Sequence, residues 1–301
     1  MFNLLSLSPQ MLTQIFSRKI IIATLVLLSG CLVNGGEQKT YYRTTDVLHI
    51  YKAGDFIEYN VYGPSTSANG TYVPPMSGTL HVQWYSTPEL TDPLNPTGDT
   101  IPVLKEVSTL TINGSTTETV RYISQDTDGT MYLHAFFNDV YYWANETTDT
   151  KAPPTELTKV KLWQSPFIAT GDNISNTFQV YDHCDNTATP CGVRLGSQTE
   201  TDKVESSDAN IETNLGVFNT FRVSFSGNKQ IDPTNKVFPL NLDVRNSCGL
   251  GNVNFSGLAN VFPEIGVIFM SVSCSALPAG YPSFSYSFEF KRSNISLPTP
   301  S

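Results

Sequence analysis

Cysteines carry the most definite chemistry in this 301-residue chain, which has five of them. Cys184, Cys191, Cys248 and Cys274 form an even set, and in an exported chain an even set predicts disulfides. Three pairings are open; Cys184–Cys191 with Cys248–Cys274 is favoured because each closes a local loop. The competing chemistry is metal ligation by Asp182-His183-Cys184-Asp185. Along a strand neighbouring side chains point to opposite faces, so only alternate members of that tetrad could converge on an ion. No metal and no cofactor is expected. Cys31 stands apart from the other four, directly behind an apolar run.

Other residue types offer less. Nucleophilic hydrolysis needs an exposed Ser or Cys beside a positioned His, and the sequence has no Gly-x-Ser-x-Gly, His-Glu-x-x-His, P-loop or dinucleotide glycine fingerprint. Of the four histidines, His49, His81, His134 and His183, the middle two fall within strand patterns, where a hydrogen-bonded or half-exposed ring is the ordinary outcome. Asp126-x-Asp128-Gly129 opens like a calcium loop, but later ligands are missing at the required spacing, so it reads as an aspartate-capped turn. No catalytic residue is assigned, and the chain is expected not to be an enzyme.

Cys31 gains its meaning from what precedes it. Arg18-Lys19 is a basic n-region, Ile20 to Leu28 an apolar h-region of nine positions, and Ser29-Gly30 the small residues before the cysteine. That order is a secretory signal, and the run is well short of the roughly 20 residues a spanning helix needs. Leu28-Ser29-Gly30-Cys31 resembles the lipobox of bacterial lipoproteins. The resemblance implies a diacylglyceryl group on the Cys31 sulfur, cleavage before it and a third acyl chain on the new amino group. Two or more chains anchor firmly where one binds only marginally. Leu32, in the place where aspartate retains enterobacterial lipoproteins in the inner membrane, favours the outer membrane, facing the periplasm.

Without residues 1–30, whose only charged side chains are Arg18 and Lys19, the net charge passes from −9 to −11. Such an acidic body has no electrostatic affinity for nucleic acid.

Residues 31–44 read as the lipidated N-terminus and a flexible tether, Gly-rich and polar. Strand signals then follow at 56–62, 80–85, 107–112, 119–124 and 131–136. Asn113-Gly114 marks a hairpin, with a longer loop suggested by the Ser-Thr-Thr-Glu behind it. In the second half Phe221, Val223 and Phe225, then Leu240, Leu242 and Val244, then Phe284, Tyr286, Phe288 and Phe290 alternate with polar residues. Alternation of this kind means antiparallel strands with one dry and one wet face. The best helix candidate, Thr155 to Leu162, is short. The fold class is therefore mainly β: an antiparallel curved sheet, half-barrel or barrel, in two β-rich halves, 45–152 and 153–293, that could share one continuous sheet. Pro153-Pro154 marks the boundary, Gly54-Asp55 and Gly171-Asp172 form a faint internal echo, and residues 294–301 should fray.

Leu215-Gly216-Val217-Phe218-Asn219-Thr220-Phe221-Arg222-Val223 and Val261-Phe262-Pro263-Glu264-Ile265-Gly266-Val267-Ile268 are similar to a pattern recurring in poorly characterised β-rich bacterial lipoproteins. Those families are pictured as curved antiparallel sheets, distantly like the carriers LolA and LolB. The resemblance brings no catalytic residues. The expected function is a membrane-anchored binding or scaffold module of the cell envelope, with an apolar ligand or an envelope protein as partner. The alternative is an envelope hydrolase acting on polysaccharide or peptidoglycan.

Overall fold

The computed structural model describes residues 40–43, 48–63, 66–68, 71–73, 77–87, 89–90, 97–98, 100–136, 141–145, 160–163, 168–181, 194–231, 252–277, 284–298 and 300. Among them lie sixteen strands and no helix: β1 (Tyr41–Tyr42), β2 (Phe56–Tyr62), β3 (Thr66–Ala68), β4 (Thr71–Val73), β5 (Ser77–Ser86), β6 (Leu104–Ile112), β7 (Ser115–Gln125), β8 (Met131–Phe136), β9 (Tyr141–Asn145), β10 (Val160–Trp163), β11 (Asn173–Tyr181), β12 (Arg194–Thr213), β13 (Gly216–Ile231), β14 (Asn252–Phe262), β15 (Gly266–Leu277) and β16 (Phe284–Ser293). Thr40–Ser301 form one compact unit.

Twelve strands pair in the order β2-β5-β6-β7-β8-β9-β11-β12-β13-β14-β15-β16, and β16 returns to pair with β2. Each strand on this ring is antiparallel to the next, and the ring runs in chain order with only β3, β4 and β10 passed over, so the sheet is an up-and-down barrel. The seam at β9 is thin, with two residue pairs to β8 and three to β11. β10 lies beside β9 on the same edge of β8. A barrel has no free edge to shield from other chains.

The alternation read from the sequence decides what faces inward. Ile57, Tyr59 and Val61 of β2, Leu80, Val82 and Trp84 of β5, and Phe288 and Phe290 of β16 are buried in one apolar core. Outward, Ser175, Thr201, Ser226, Ser256, Ser273 and Ser285 are register neighbours across six strands, with Thr177, Thr199, Asn228, Asn254 and Ser275 in the adjacent row. This is the reverse of a membrane-spanning barrel, which needs an apolar belt outside and a polar lumen. Two aromatic rings take the place of missing side chains: a Cβ built on Gly257 would come within 2.4 Å of Phe225 Cζ, and one on Gly227 within 2.4 Å of Phe255 Cζ.

Several sequence expectations are corrected. Asn113 (φ 50°) and Gly114 (φ 82°) alone make the β6–β7 turn, because Ile112 pairs directly with Ser115; positive φ at both centres gives the twist a two-residue hairpin needs. The end of the expected helix, Val160 to Leu162, is instead in β10. Tyr41 and Tyr42, placed in the tether, pair in parallel with Val217 and Phe218, and the Tyr42 ring stacks on Phe218 at 4.7 Å. The start of the tail also packs: Ile295 is buried, while Asn294 accepts from Phe56 N at 2.7 Å and donates to Gly54 O at 2.8 Å. Pro153-Pro154 and the run Leu240 to Val244 lie outside the described residues.

The echo of Gly54-Asp55 in Gly171-Asp172 is a shared turn. In the first, Asp55 N donates to Lys52 O, Lys52 N to Asp55 Oδ2, Gly54 N to Trp84 O and Trp84 N to Asp55 O. In the second, Asp172 N donates to Ala169 O, Ala169 N to Asp172 Oδ2, Gly171 N to Val204 O and Val204 N to Asp172 O. Both glycines sit at φ 97°. The turns open β2 and β11, which are six places apart on the ring and so run in the same direction. They rim one end of the barrel from opposite sides, the end at which β1 joins the sheet; it is called the proximal end here.

β16 is tied to β2 through charge as well as through the ladder. Lys291 Nζ donates to Glu58 Oε1, and Arg292 Nε and Nη2 donate to Glu58 Oε2 at 2.9 and 2.7 Å. The Lys291 hydrogen bond first, then that from Arg292, holds the Glu58 carboxyl below its ordinary value of 4.5. A depressed folded-state pKa contributes stability that is present above the unfolded value and lost as pH falls through the folded one. Glu58→Gln should therefore flatten the acid limb of the stability profile. Urea midpoints measured from pH 7 down to pH 3 check this; the same slope below pH 4.5 in both proteins would count against it.

Candidate functional site

Residues 48–55, which lead into β2, form a strap across the proximal end. Its backbone is held by several elements: His49 N donates to Pro263 O at 2.8 Å, and the Gln125 side chain accepts from Tyr51 N at 2.8 Å while donating to His49 O at 2.8 Å. The His49 ring meets Asp55 Oδ2 at 3.0 Å. Tyr51 turns its ring onto the Trp84 indole, with centroids 4.0 Å apart and planes at 11°, and its hydroxyl donates to Ile265 O at 2.9 Å. Burial above all, then the charges of Glu106 and Asp55, pushes the Tyr51 phenol well above its ordinary value.

Beneath the strap lies a cavity of about 190 Å³. Ile57, Leu80, Val82, Met270 and Phe288 supply apolar wall, and Leu48, His49 and Tyr51 cover it. Three further residues are unlike the rest. Trp84, Glu106 and Arg121 are register neighbours on β5, β6 and β7. Arg121 Nε donates to Glu106 Oε1 at 2.8 Å and Nη2 donates to the same oxygen. The Glu106 side chain is 3% exposed and that of Arg121 12%. Trp84 Nε1 is buried with no hydrogen-bond partner, which leaves a donor's desolvation cost, about 1–3 kcal/mol, without compensation.

The shared turn shows that the fold does not require this polar trio. Trp84 is bonded to the first turn as Val204 is to the second, and the register neighbours of Val204 on β13 and β14 are Val223 and Ala259. Trp84, Glu106 and Arg121 in one half thus correspond to three apolar residues in the other. Sequence reading missed the trio because Glu106 and Arg121 look like ordinary outward charges. The signal was present in the register: Glu106 shares a face with Leu110, not with the exposed side of β6.

A second polar patch lines the interior further from the strap. Gln198, Glu200, Asp202 and Lys229 are buried on the inward faces of β12 and β13, and Gln198 Nε2 donates to Glu200 Oε2 at 3.3 Å. Burial pushes the Lys229 ammonium down to about 8.

Of the cysteines, Cys274 is buried on β15 and disulfide-bonded. Cys31, Cys184, Cys191 and Cys248 lie outside the described residues, as does the tetrad Asp182–Asp185 with His183. Among the described residues no group of three His, Cys, Asp or Glu side chains gathers to hold a metal. His134 is buried against Ser124 Oγ at 2.7 Å, and His81 stands on the outer face, 4.0 Å from Glu58. The Asp126–Gly129 segment is a capped turn: Gly129 N donates to Asp126 O and Thr130 N to Asp128 Oδ1, each at 2.9 Å.

No family model matches this sequence. No curated protein matches it either. Among solved structures, a candidate lipoprotein from Parabacteroides distasonis is similar at 12% identity and a TM-score of 0.38, over 82% of this chain and 100% of that one. A likeness this slight transfers neither fold nor function, and the barrel and its cavity have to be read on their own geometry.

Proposed function

We propose that the chain is a lipoprotein of the bacterial envelope, anchored through Cys31 to the outer membrane on its periplasmic side, and that its barrel is a non-enzymatic binding module for a small apolar ligand. The observation that carries the binding role is the apolar cavity under the strap. Its volume, about 190 Å³, lies below the roughly 300 Å³ at which drug-sized sites begin and just above the roughly 150 Å³ that holds one benzene. It suits a single ring or the end of a chain and is too small for a whole lipid. Met131 and Met270 in its lining can adapt to such a guest. The one buried carboxylate in that lining, Glu106, is committed to Arg121, which favours binding over hydrolysis. The nine peptide units between Cys31 and Thr40 reach no more than about 30 Å, so an anchored chain keeps its proximal end, and the strap, near the bilayer.

Two measurements test this. The mature chain carrying Cys31→Ser should leave the membrane fraction; continued membrane association would overturn the anchor. That soluble protein should be stabilised against heat by ethylbenzene, and Val82→Phe, whose ring takes up part of the cavity, should weaken the effect. No shift with any ring-sized apolar compound would remove the binding role.

A further inference from the structure

Given the reading of the cavity as a binding site, the ion pair in its wall narrows the ligand's chemistry. A site for pure hydrocarbon has no use for Glu106 and Arg121, since the corresponding positions of the other half are Val223 and Ala259. Both guanidinium bonds run to Glu106 Oε1. Oε2 accepts no hydrogen bond among the described residues, yet it is not sealed off as Trp84 Nε1 is, and the side chain that carries it lines the cavity. Glu106 thus offers the guest a carboxylate oxygen whose lone pairs are free.

Charge and hydrogen-bond direction decide what can meet that oxygen. A cation there would lie beside the guanidinium that already shares the carboxylate, and an anion would face Glu106 itself; either brings an unbalanced charge into a mostly apolar space, which costs far more than it gains. A neutral group that donates meets neither penalty. The other open polar group is the Tyr59 hydroxyl, in the same lining and without a hydrogen bond among the described residues. A hydroxyl both donates and accepts, whereas an ionised carboxylate only accepts. Oε2 is therefore the atom that discriminates between guests, and Tyr59 adapts to whichever is chosen.

We propose that the cavity's ligand is a neutral single-ring compound bearing a hydroxyl group, a phenol, whose O–H donates to Glu106 Oε2. The ring takes the apolar space among Leu80, Val82 and Met270. A guest without a donor strips Oε2 of water and puts nothing in its place, which is costlier for a charged acceptor than for a neutral one. Phenols are thereby selected over ethers and hydrocarbons of equal size.

p-Cresol and anisole are isomers with the same ring and the same atoms, and only in p-cresol does the oxygen carry a hydrogen. In calorimetric titration of the mature Cys31→Ser chain at pH 7, where the phenol is neutral, p-cresol should bind at least about tenfold more tightly, the lower end of what a hydrogen bond to a charged group contributes. The ratio should fall to near one when Glu106→Leu and Arg121→Met are made together, since the acceptor is then gone and the row is apolar. Should that double variant fail to fold, the carboxyl carbon resonance of Glu106 in the parent chain serves instead: p-cresol should move it and anisole should not. Equal binding of the two isomers, a preference that survives the double substitution, or an unmoved carboxyl resonance with p-cresol bound would each overturn the inference while leaving the cavity as a binding site. Binding of none of p-cresol, anisole and ethylbenzene would remove the cavity reading itself.

Discussion

Arg121→Met should lower the stability of the barrel by about 3–5 kcal/mol, the usual result of removing one partner from a buried ion pair. The carboxylate left behind is 3% exposed and loses its two-pronged guanidinium partner. In urea the midpoint should fall with the slope unchanged, since the surface exposed on unfolding stays the same. The compensating variant is as informative. Glu106→Leu with Arg121→Met makes the row apolar, as it already is at Val223 and Ala259. Replacing both partners of a buried pair by apolar groups is often neutral or stabilising, so the double variant should recover most of the loss. A single variant within about 1 kcal/mol of the parent would show that the pair is solvated. A double variant as unstable as the single one would show that the guanidinium serves the fold through some other contact.

That the double variant should be tolerated also bears on why this pair is there. If three apolar residues close the corresponding row of the other half, the ion pair is not a requirement of the barrel. It costs desolvation and adds a pair of charges to a cavity whose wall is otherwise mostly apolar. Such a departure from the pattern of the fold marks a place where a ligand, not packing, sets the residue types.

The strands that were legible in the sequence are those in which the simplest physical rule holds. Phe284, Tyr286, Phe288 and Phe290 alternate with polar residues, and β16 is found there. The same rule hid β12, the longest strand at 20 residues. Its inward positions include Gln198, Glu200 and Asp202, so its sequence, Ser-Gln-Thr-Glu-Thr-Asp-Lys-Val, looks wet on both faces. Closure of the ring was also out of reach, because the β16–β2 pairing joins residues more than 220 positions apart and leaves no local trace. The repeat of Gly54-Asp55 in Gly171-Asp172 was visible only as two dipeptides. Its content, a set of four backbone and side-chain bonds repeated in each half, depends on Trp84 and Val204, which share no side-chain chemistry. The site was illegible for a related reason: a charge on a half-exposed strand is read as outward, and only the register brings Glu106 and Arg121 into the interior.

Tyr51 is where strap, cavity and trio meet, and graded substitution there should separate their contributions. Tyr51→Phe keeps the stack on Trp84 and loses the hydroxyl bond to Ile265 O, at a cost of about 1 kcal/mol. Tyr51→Ala loses the ring as well, and truncating a buried aromatic costs about 3–5 kcal/mol. The strap's backbone should stay in place in both variants, because Gln125 and Pro263 hold main-chain atoms and not the ring. With the ring gone, its volume joins the cavity. Tyr51→Ala should therefore bind a two-ring guest such as naphthalene, which the parent excludes, and regain part of its lost melting temperature when saturated with it. Calorimetric titration and thermal unfolding of the three proteins read both effects. If Tyr51→Ala proved as stable as Tyr51→Phe, the ring would not be packed against Trp84 as described. If it were unstable but still closed to naphthalene, the strap would have collapsed into the cavity, and the strap's grip on Gln125 and Pro263 would be weaker than its hydrogen bonds imply.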